Sequence, residues 1–269
     1  MRLNRLRFLP WACLPLGVGY GRCMNATHRG RLVPSMLAAA LVSTAVLLAT
    51  PTEAQAITCA PDGTLPSNGD AGTVRLADDL ETGDLRRWSK TVREGDASAA
   101  VQNSRSHDGR CALRLWVTTR GDSRANVRKY LPTETRTIRA SGWFRVDRQG
   151  VLGSNVPILR FFDGSRRMVD LHRKNGSGEL WLRTADGQGG WKYNRLGLTM
   201  PLGRWMYVKF RATASWSSSL VSVKVNGTYL YWRSDHRIPT SRLNMVMVGS
   251  EHVKQQMDLY VDEVVVKTG

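Results

Sequence analysis

The sequence predicts an all-β sandwich of antiparallel strands, and three observations carry the prediction. From Thr73 onward, short runs alternate apolar and polar residues with a period of two. Gly, Asn, Asp and Pro separate these runs at turn spacing, as in sandwiches and barrels. After residue 57 no window sustains a helical period.

Taken in order, the alternation places strands at 75–80, 98–102, 111–117, 127–131, 138–146, 155–162, 167–174, 178–184, 190–194, 206–212, 221–225, 243–248 and 259–267, about thirteen in all. Leu113, Leu115 and Val117 share one face against Arg114 and Trp116. Ile138, Ala140, Gly142, Phe144 and Val146 turn inward, opposite Arg139, Ser141, Trp143 and Arg145. Met206, Val208, Phe210 and Ala212 alternate with Tyr207, Lys209 and Arg211. Val221, Val223 and Val225 share a face, and Asn226-Gly227 then has the composition of a tight hairpin turn. The segment 243–248 is apolar on both faces, as a central strand is.

The first fifth of the chain reads differently. Met36 to Thr50 is an uncharged apolar run, preceded by Arg29 and Arg31 and followed by Ala54-Gln55-Ala56. That is the pattern of a secretory signal peptide, and cleavage is expected after Ala56. The run is shorter than the ~20 residues that span a bilayer, so no transmembrane segment is expected after cleavage. The residues before Met24 read either as an unusually long leader or as an upstream start, because Met24 to Ala56 is a complete signal peptide by itself. Residues 1–56 are therefore assigned to the leader, 57–72 to a flexible tail, and 73–269 to one domain. Export leaves two cysteines, Cys59 and Cys111, in an oxidising compartment, where an even count favours a disulfide tying the tail to a strand.

Of the 39 basic and 22 acidic residues, six and one precede Ile57, leaving the mature part at +12. Such a charge bears on partners rather than on fold. Secretion and the lack of any basic run of five argue against nucleic acid. That leaves anionic membrane or wall polymers and acidic extracellular polysaccharides as expected partners of a secreted or wall-associated monomer.

Several segments together resemble a known family. They are Asp78-Asp79-Leu80-Glu81-Thr82-Gly83-Asp84-Leu85-Arg86-Arg87-Trp88, Gly109-Arg110-Cys111-Ala112-Leu113-Arg114, Gly203-Arg204-Trp205-Met206-Tyr207-Val208, Val223-Lys224-Val225-Asn226-Gly227 and Tyr260-Val261-Asp262-Glu263-Val264-Val265-Val266. The succession, covering nearly all of 73–267, resembles the concanavalin A-like, laminin-G-like jelly rolls of secreted bacterial proteins. The resemblance implies a two-sheet jelly roll and a superfamily of lectins, carbohydrate-binding modules, glycoside hydrolases and polysaccharide lyases. Fold does not choose among these.

Catalytic signatures are thin. Laminarinase-type members carry E-x-D-x-x-E on one strand, with paired carboxylates as nucleophile and acid, and this chain has no such run. Alginate-lyase-type members carry R-x-E-x-R, Q-[IV]-H and Y-x-K-x-G-x-Y. The nearest counterparts are Arg124-Ala125-Asn126-Val127-Arg128, Ile158-Leu159-Arg160 and Trp191-Lys192-Tyr193-Asn194, each departing from its pattern. What alternation does assemble is a patch. Asp170 and His172 share one side of their strand, Glu179, Trp181 and Arg183 one side of the next, and Trp191 and Tyr193 one side of a third. If these strands form a meander, aromatics for sugar stacking stand among charges that bond hydroxyls. The first reading is therefore a non-catalytic carbohydrate-binding module. The alternative is a lyase on a uronate polymer, with His172, Tyr193 and arginines exchanging protons and neutralising the carboxylate. Asp78 and Glu81 near the first strand and Asp262 on the last offer oxygens that suit a structural calcium.

Overall fold

The structure, a computed structural model, describes residues 58–59, 64–252 and 255–269. The leader, the alternative start at Met24 and the Ala56 cleavage point lie outside the described residues. Fifteen strands and no helix occur among the described residues. They are Thr73–Asp78 (β1), Lys90–Glu94 (β2), Ala97–Gln102 (β3), Ala112–Val117 (β4), Arg124–Tyr130 (β5), Thr137–Gln149 (β6), Asn155–Asp163 (β7) and Arg166–Lys174 (β8). Glu179–Ala185 (β9), Trp191–Thr199 (β10), Met206–Thr213 (β11), Ser219–Val225 (β12), Thr228–His236 (β13), Met245–Gly249 (β14) and Met257–Thr268 (β15) follow.

Every pairing is antiparallel, and the strands form two sheets. The seven-stranded sheet runs β10-β9-β8-β7-β14-β5-β2. The eight-stranded sheet runs β13-β12-β11-β6-β15-β4-β3, with β1 also paired to β15. β15 is long enough to serve β4 with Met257–Val261 and β1 with Val264–Thr268 along the same edge. It changes partner at Asp262-Glu263, where its register with β6 shifts and Glu263 takes φ +49°. First and last strands are thus neighbours, and the core between the sheets comes from the inward row of each strand.

Two strands, β2 and β13, escape the sequence pattern for one reason. Both lie at sheet edges, and each buries a single residue, Val92 and His236. With no apolar row to bury, neither shows alternation. The Asn226-Gly227 turn joins β12 to β13, with φ +47° and +87° at its two positions. These are the left-handed values that a two-residue hairpin requires. Cys59 and Cys111 form the expected disulfide, their Cα atoms 5.5 Å apart, which fixes the segment ahead of β1 to the start of β4. Residues 64–72 lie against the eight-stranded sheet, where buried Asn68 donates from Nδ2 to Ser141 Oγ at 3.1 Å.

Candidate functional site

β8, β9 and β10 are consecutive in the sheet and consecutive in sequence, so they do form a meander. Val169, Leu171, Leu180 and Leu182 enter the core. Alternation therefore turns Asp170, His172, Glu179, Trp181 and Arg183 to the outer face, with Trp191 and Tyr193 beside them. Register aligns Asp170, Arg183 and Tyr193 in one row, and His172, Trp181 and Arg195 in the next. Glu179, at the far end of β9, is held by Arg195. Trp191 is flanked by cations, the Arg167 and Arg183 guanidiniums lying 4.8 and 5.0 Å from its ring centroid. Lys174 stands 5.1 Å from the Trp181 ring. Tyr193 is the most open member, 56% exposed.

The centre of the face is a buried charge cluster. Asp170, fully buried, accepts from Arg183 Nε at 2.7 Å. Its other neighbours are Arg167 Nη1 at 3.5 Å and Arg160 Nε at 3.3 Å, the latter close enough to pair but not aligned as a hydrogen bond. Arg160 is itself fully buried and donates from Nη1 to Gly249 O at 3.4 Å and from Nη2 to Gln255 Oε1 at 3.3 Å. Glu251 Oε2 lies 3.0 Å from Arg167 Nη1 and 3.5 Å from Arg160 Nη1. Burial alone would raise the Asp170 pKa, but the arginines and His172 around it hold its carboxyl far below the usual range. Burial, helped by the same arginines against Asp170, brings His172 down to about 4, so its imidazole is neutral at neutral pH. Burial and the neighbouring Arg160 lower Arg167 to about 10. Arg183 moves the other way: burial lowers it, but Asp170 and a hydrogen bond with Tyr193 outweigh burial.

Beside the cluster opens a cleft of about 460 Å³, with Arg167, Arg183, His252 and Gln255 on its walls and Leu152 on its rim. Five polar atoms of the patch and cluster are shielded from solvent without a hydrogen-bond partner: Arg160 Nε, Arg167 Nε, Asp170 Oδ1, Trp181 Nε1 and His172 Nδ1. The three lyase-like segments lie on β5, β7 and β10 of this one sheet, and Arg128, Arg160 and Tyr193 fall in a single register row. Phe162, Met245 and Met247 form a small buried apolar cluster against the same face.

The sequence patch omitted Arg167, Glu251 and Gln255, and gave Arg160 no place in it. Arg160 did carry a signal: an arginine between Leu159 and Phe161, in a strand buried on both faces, must find a buried partner. Glu251 and Gln255 come from the connection after β14, where periodicity says nothing.

Of the calcium trio, Glu81 and Asp262 line a cleft of about 550 Å³ with Asp79, Asp108 and Glu263, whereas Asp78 is not on its wall. Asp78 accepts from Trp88 Nε1 at 2.9 Å and from Leu80 N at 3.1 Å. Glu81 Oε1 accepts from the Arg110 and Cys111 amides, both at 2.7 Å, and Asp262 Oδ2 from the His107 amide at 2.8 Å. Burial pushes Asp78 up to about 6 and Asp262 up to about 7. One tight group of sulfur and carboxylate atoms occurs among the described residues, Cys59, Glu81 and Cys111, and its sulfurs are bonded to each other.

No protein-family model and no curated protein sequence matches this chain. Solved structures do. An endo-β-1,4-glucuronan lyase from the fungus Trichoderma reesei aligns with a TM-score of 0.55 at 16% identity, covering 70% of this chain and 93% of that one. The cellulose-induced protein Cip1 aligns with a TM-score of 0.56 at 10% identity, over 71% and 96%. Domain 4 of AbnA, a GH43 extracellular arabinanase from Geobacillus stearothermophilus, solved with arabinotriose, aligns with a TM-score of 0.53 at 13% identity, over 74% and 94%. The likeness is one of fold. The resemblance read from the sequence segments holds at that level, a two-sheet antiparallel β-sandwich.

Proposed function

We propose that this chain is an extracellular carbohydrate-binding protein that holds a uronate-bearing polysaccharide on the outer face of its seven-stranded sheet. One observation carries the reading: Arg167 and Arg183, backed by the fully buried Arg160, gather around Asp170 and lie against the Trp191 ring, beside an open cleft. Guanidinium forks match carboxylates, and an indole face takes the C–H side of a sugar ring. The +12 balance draws polyanions to the surface, and the disulfide fits an oxidising compartment. The likeness in fold to a glucuronan lyase and to a domain solved with arabinotriose supports a saccharide ligand. The test is calorimetry of the secreted chain with oligoglucuronate and with a neutral oligosaccharide of equal length, each at two salt concentrations. Salt-sensitive binding of the acidic ligand alone is expected; equal binding of both, or of neither, refutes the reading.

A second reading, lyase activity, draws on Tyr193. Tyr193 is 56% exposed and stands opposite Arg183 on the neighbouring strand, beside guanidiniums fit to neutralise a uronate carboxylate. In β-elimination a base takes the C5 proton, the C4–O bond breaks as the C4–C5 double bond forms, and the leaving oxygen is protonated. His172 is 5% exposed, so Tyr193 is the group that reaches a substrate. Growth of unsaturated-uronate absorbance, abolished by Tyr193→Phe, is the result this reading requires.

A further inference from the structure

The opposite side of the sandwich carries a second face that packing alone does not explain. On the outer side of the eight-stranded sheet, register aligns Arg139 (β6), Arg211 (β11), Ser222 (β12) and Trp232 (β13) in one row. The adjacent row is Ser141, Lys209, Lys224 and Tyr229. β13 is the edge strand, and its register shift opposite Val223/Lys224 lets Tyr229 and Trp232, three residues apart, both turn outward. They are 63% and 60% exposed. Large aromatics left in water side by side mark contact surfaces.

The cations among them are poorly answered. Asp70 is the only acid lining this groove, and it pairs with Lys209 at 3.2 Å. Arg139 and Arg211 sit directly opposite each other on neighbouring strands, an arrangement of like charges that costs stability. Arg211 Nε is shielded from solvent with no hydrogen-bond partner, and Arg139 donates to the Gly269 carbonyl. Lys224 Nζ lies 5.0 Å from the Tyr229 ring. Two shallow grooves, of about 100 and 70 Å³, meet at Lys209 and Lys224. The larger is far below the ~300 Å³ that encloses a small-molecule ligand, so it takes a head group rather than a whole ring.

The geometry points to a second saccharide site here: the Arg139–Arg211 pair takes a carboxylate or sulfate while the sugar bearing it stacks on Trp232 and Tyr229. The ligand class is the acidic polysaccharide proposed above, but no residue is shared, so the site stands or falls independently. The two faces look away from each other across the sandwich, and one molecule with both sites joins two polymer chains.

The test is titration of the secreted full chain with oligoglucuronate by calorimetry, with a sulfated glucan oligomer and poly-glutamate of equal charge as further arms. Two oligoglucuronates per protein are expected, falling to one in Trp232→Ala and in Arg211→Gln, with the remaining one lost on adding Trp191→Ala. The affinity lost by Trp232→Ala at this site should be about tenfold or more, about 1.4 kcal/mol. Melting temperatures should stay near wild type, since Trp232 is exposed and Arg211→Gln relieves a like-charge pair. Stronger binding of the sulfated oligomer would assign the anion as sulfate. One site per protein that ignores Trp232→Ala and Arg211→Gln overturns this proposal and leaves the earlier one standing. One site lost in those variants but kept in Trp191→Ala does the reverse. Equal binding of poly-glutamate, unaffected by Trp232→Ala, reduces the face to a charged surface and overturns the saccharide site.

Discussion

Replacing Asp170 by Asn removes one charge, keeps the side chain's shape, and strands the arginines around it. The wild-type carboxylate has guanidinium nitrogens at 2.7, 3.3 and 3.5 Å. With an effective dielectric near 20, each contact at ~3.3 Å is a gross attraction of about 5 kcal/mol. Desolvating each ion takes back several kcal/mol, so the gross sum is not the loss. What a mutant feels is a buried cation left with only the longer contact to Glu251 at 3.5 Å, and removing one partner of a buried pair costs about 3–5 kcal/mol. Arg160 is that cation, with no exposed surface. In a domain of ~200 residues each kcal/mol moves the melting temperature by about 2–4 °C, so Asp170→Asn should melt roughly 10 °C below wild type at neutral pH. Acid should close the gap. The folded pKa is depressed, so the stabilisation is complete above the unfolded value of about 4 and is lost as pH falls from there through the folded value. Adding Arg160→Met should recover part of the loss, because it removes the stranded charge. Differential scanning calorimetry from pH 3 to 8 decides it. A drop under about 3 °C at pH 7, or a gap that widens in acid, refutes the reasoning.

Cys59→Ser opens a loop of 52 residues and should cost about 4 kcal/mol on the chain-entropy account, read by urea denaturation. His172 should make the fold acid-sensitive: its pKa is about 4 folded against 6.5 unfolded, so stability falls by about 3 kcal/mol as pH drops through that window. The raised carboxylates Asp78 and Asp262 work in the opposite sense there, so the difference between wild type and His172→Gln, measured from pH 4 to 7, isolates the effect. Trp181→Ala and Trp191→Ala remove half-buried rings on the outer face; each should weaken oligoglucuronate binding about tenfold or more while leaving a cooperative melt. Melting-point losses as large as a core tryptophan gives, about 3–5 kcal/mol, would make them packing residues instead.

Most strands were legible by the apolar row they bury; β10, an edge strand that buries only Leu196, was read over its first residues alone. Val221, Val223 and Val225 announce β12, while Thr228–His236 pairs with it along its whole length and shows no alternation, since β13 lies at the edge. The same logic divides the two outer faces. Asp170, Trp181 and Arg183 could be placed on one side because their strands alternate against Val169, Leu171, Leu180 and Leu182. Tyr229 and Trp232 could not, because the shift that aims both outward is a property of pairing, not of composition. The charge cluster was half-visible for a related reason. β8 and β9 follow one another in the chain, but β14, with the connection after it, reaches β7 only through sheet order. Glu251 and Gln255 arrive from there, at sequence separations of 91 and 95 from Arg160.

Stability alone is a poor reason for that cluster. Apolar residues of similar volume would commonly serve the fold as well or better than a buried ion network. Counted as charges, Arg160, Arg167 and Arg183 face Asp170 and Glu251, and the face is one negative charge short of balance. Counted as hydrogen bonds, Arg160 Nε, Arg167 Nε and Trp181 Nε1 are donors, and Asp170 Oδ1 an acceptor, held away from solvent without an aligned partner. Buried donors are ordinarily satisfied, and here Arg160 Nε has only the misaligned Asp170 Oδ1 at 3.3 Å while Arg167 Nε and Trp181 Nε1 have no partner. Under the proposed function, a uronate carboxylate supplies the missing charge at Arg167 and Arg183, the two arginines that keep exposed surface, with Arg160 buried behind them. On that same reading Asp170 has a role that a neutral residue could not fill: it holds Arg167 and Arg183 in place before a ligand arrives, so that binding does not have to order them.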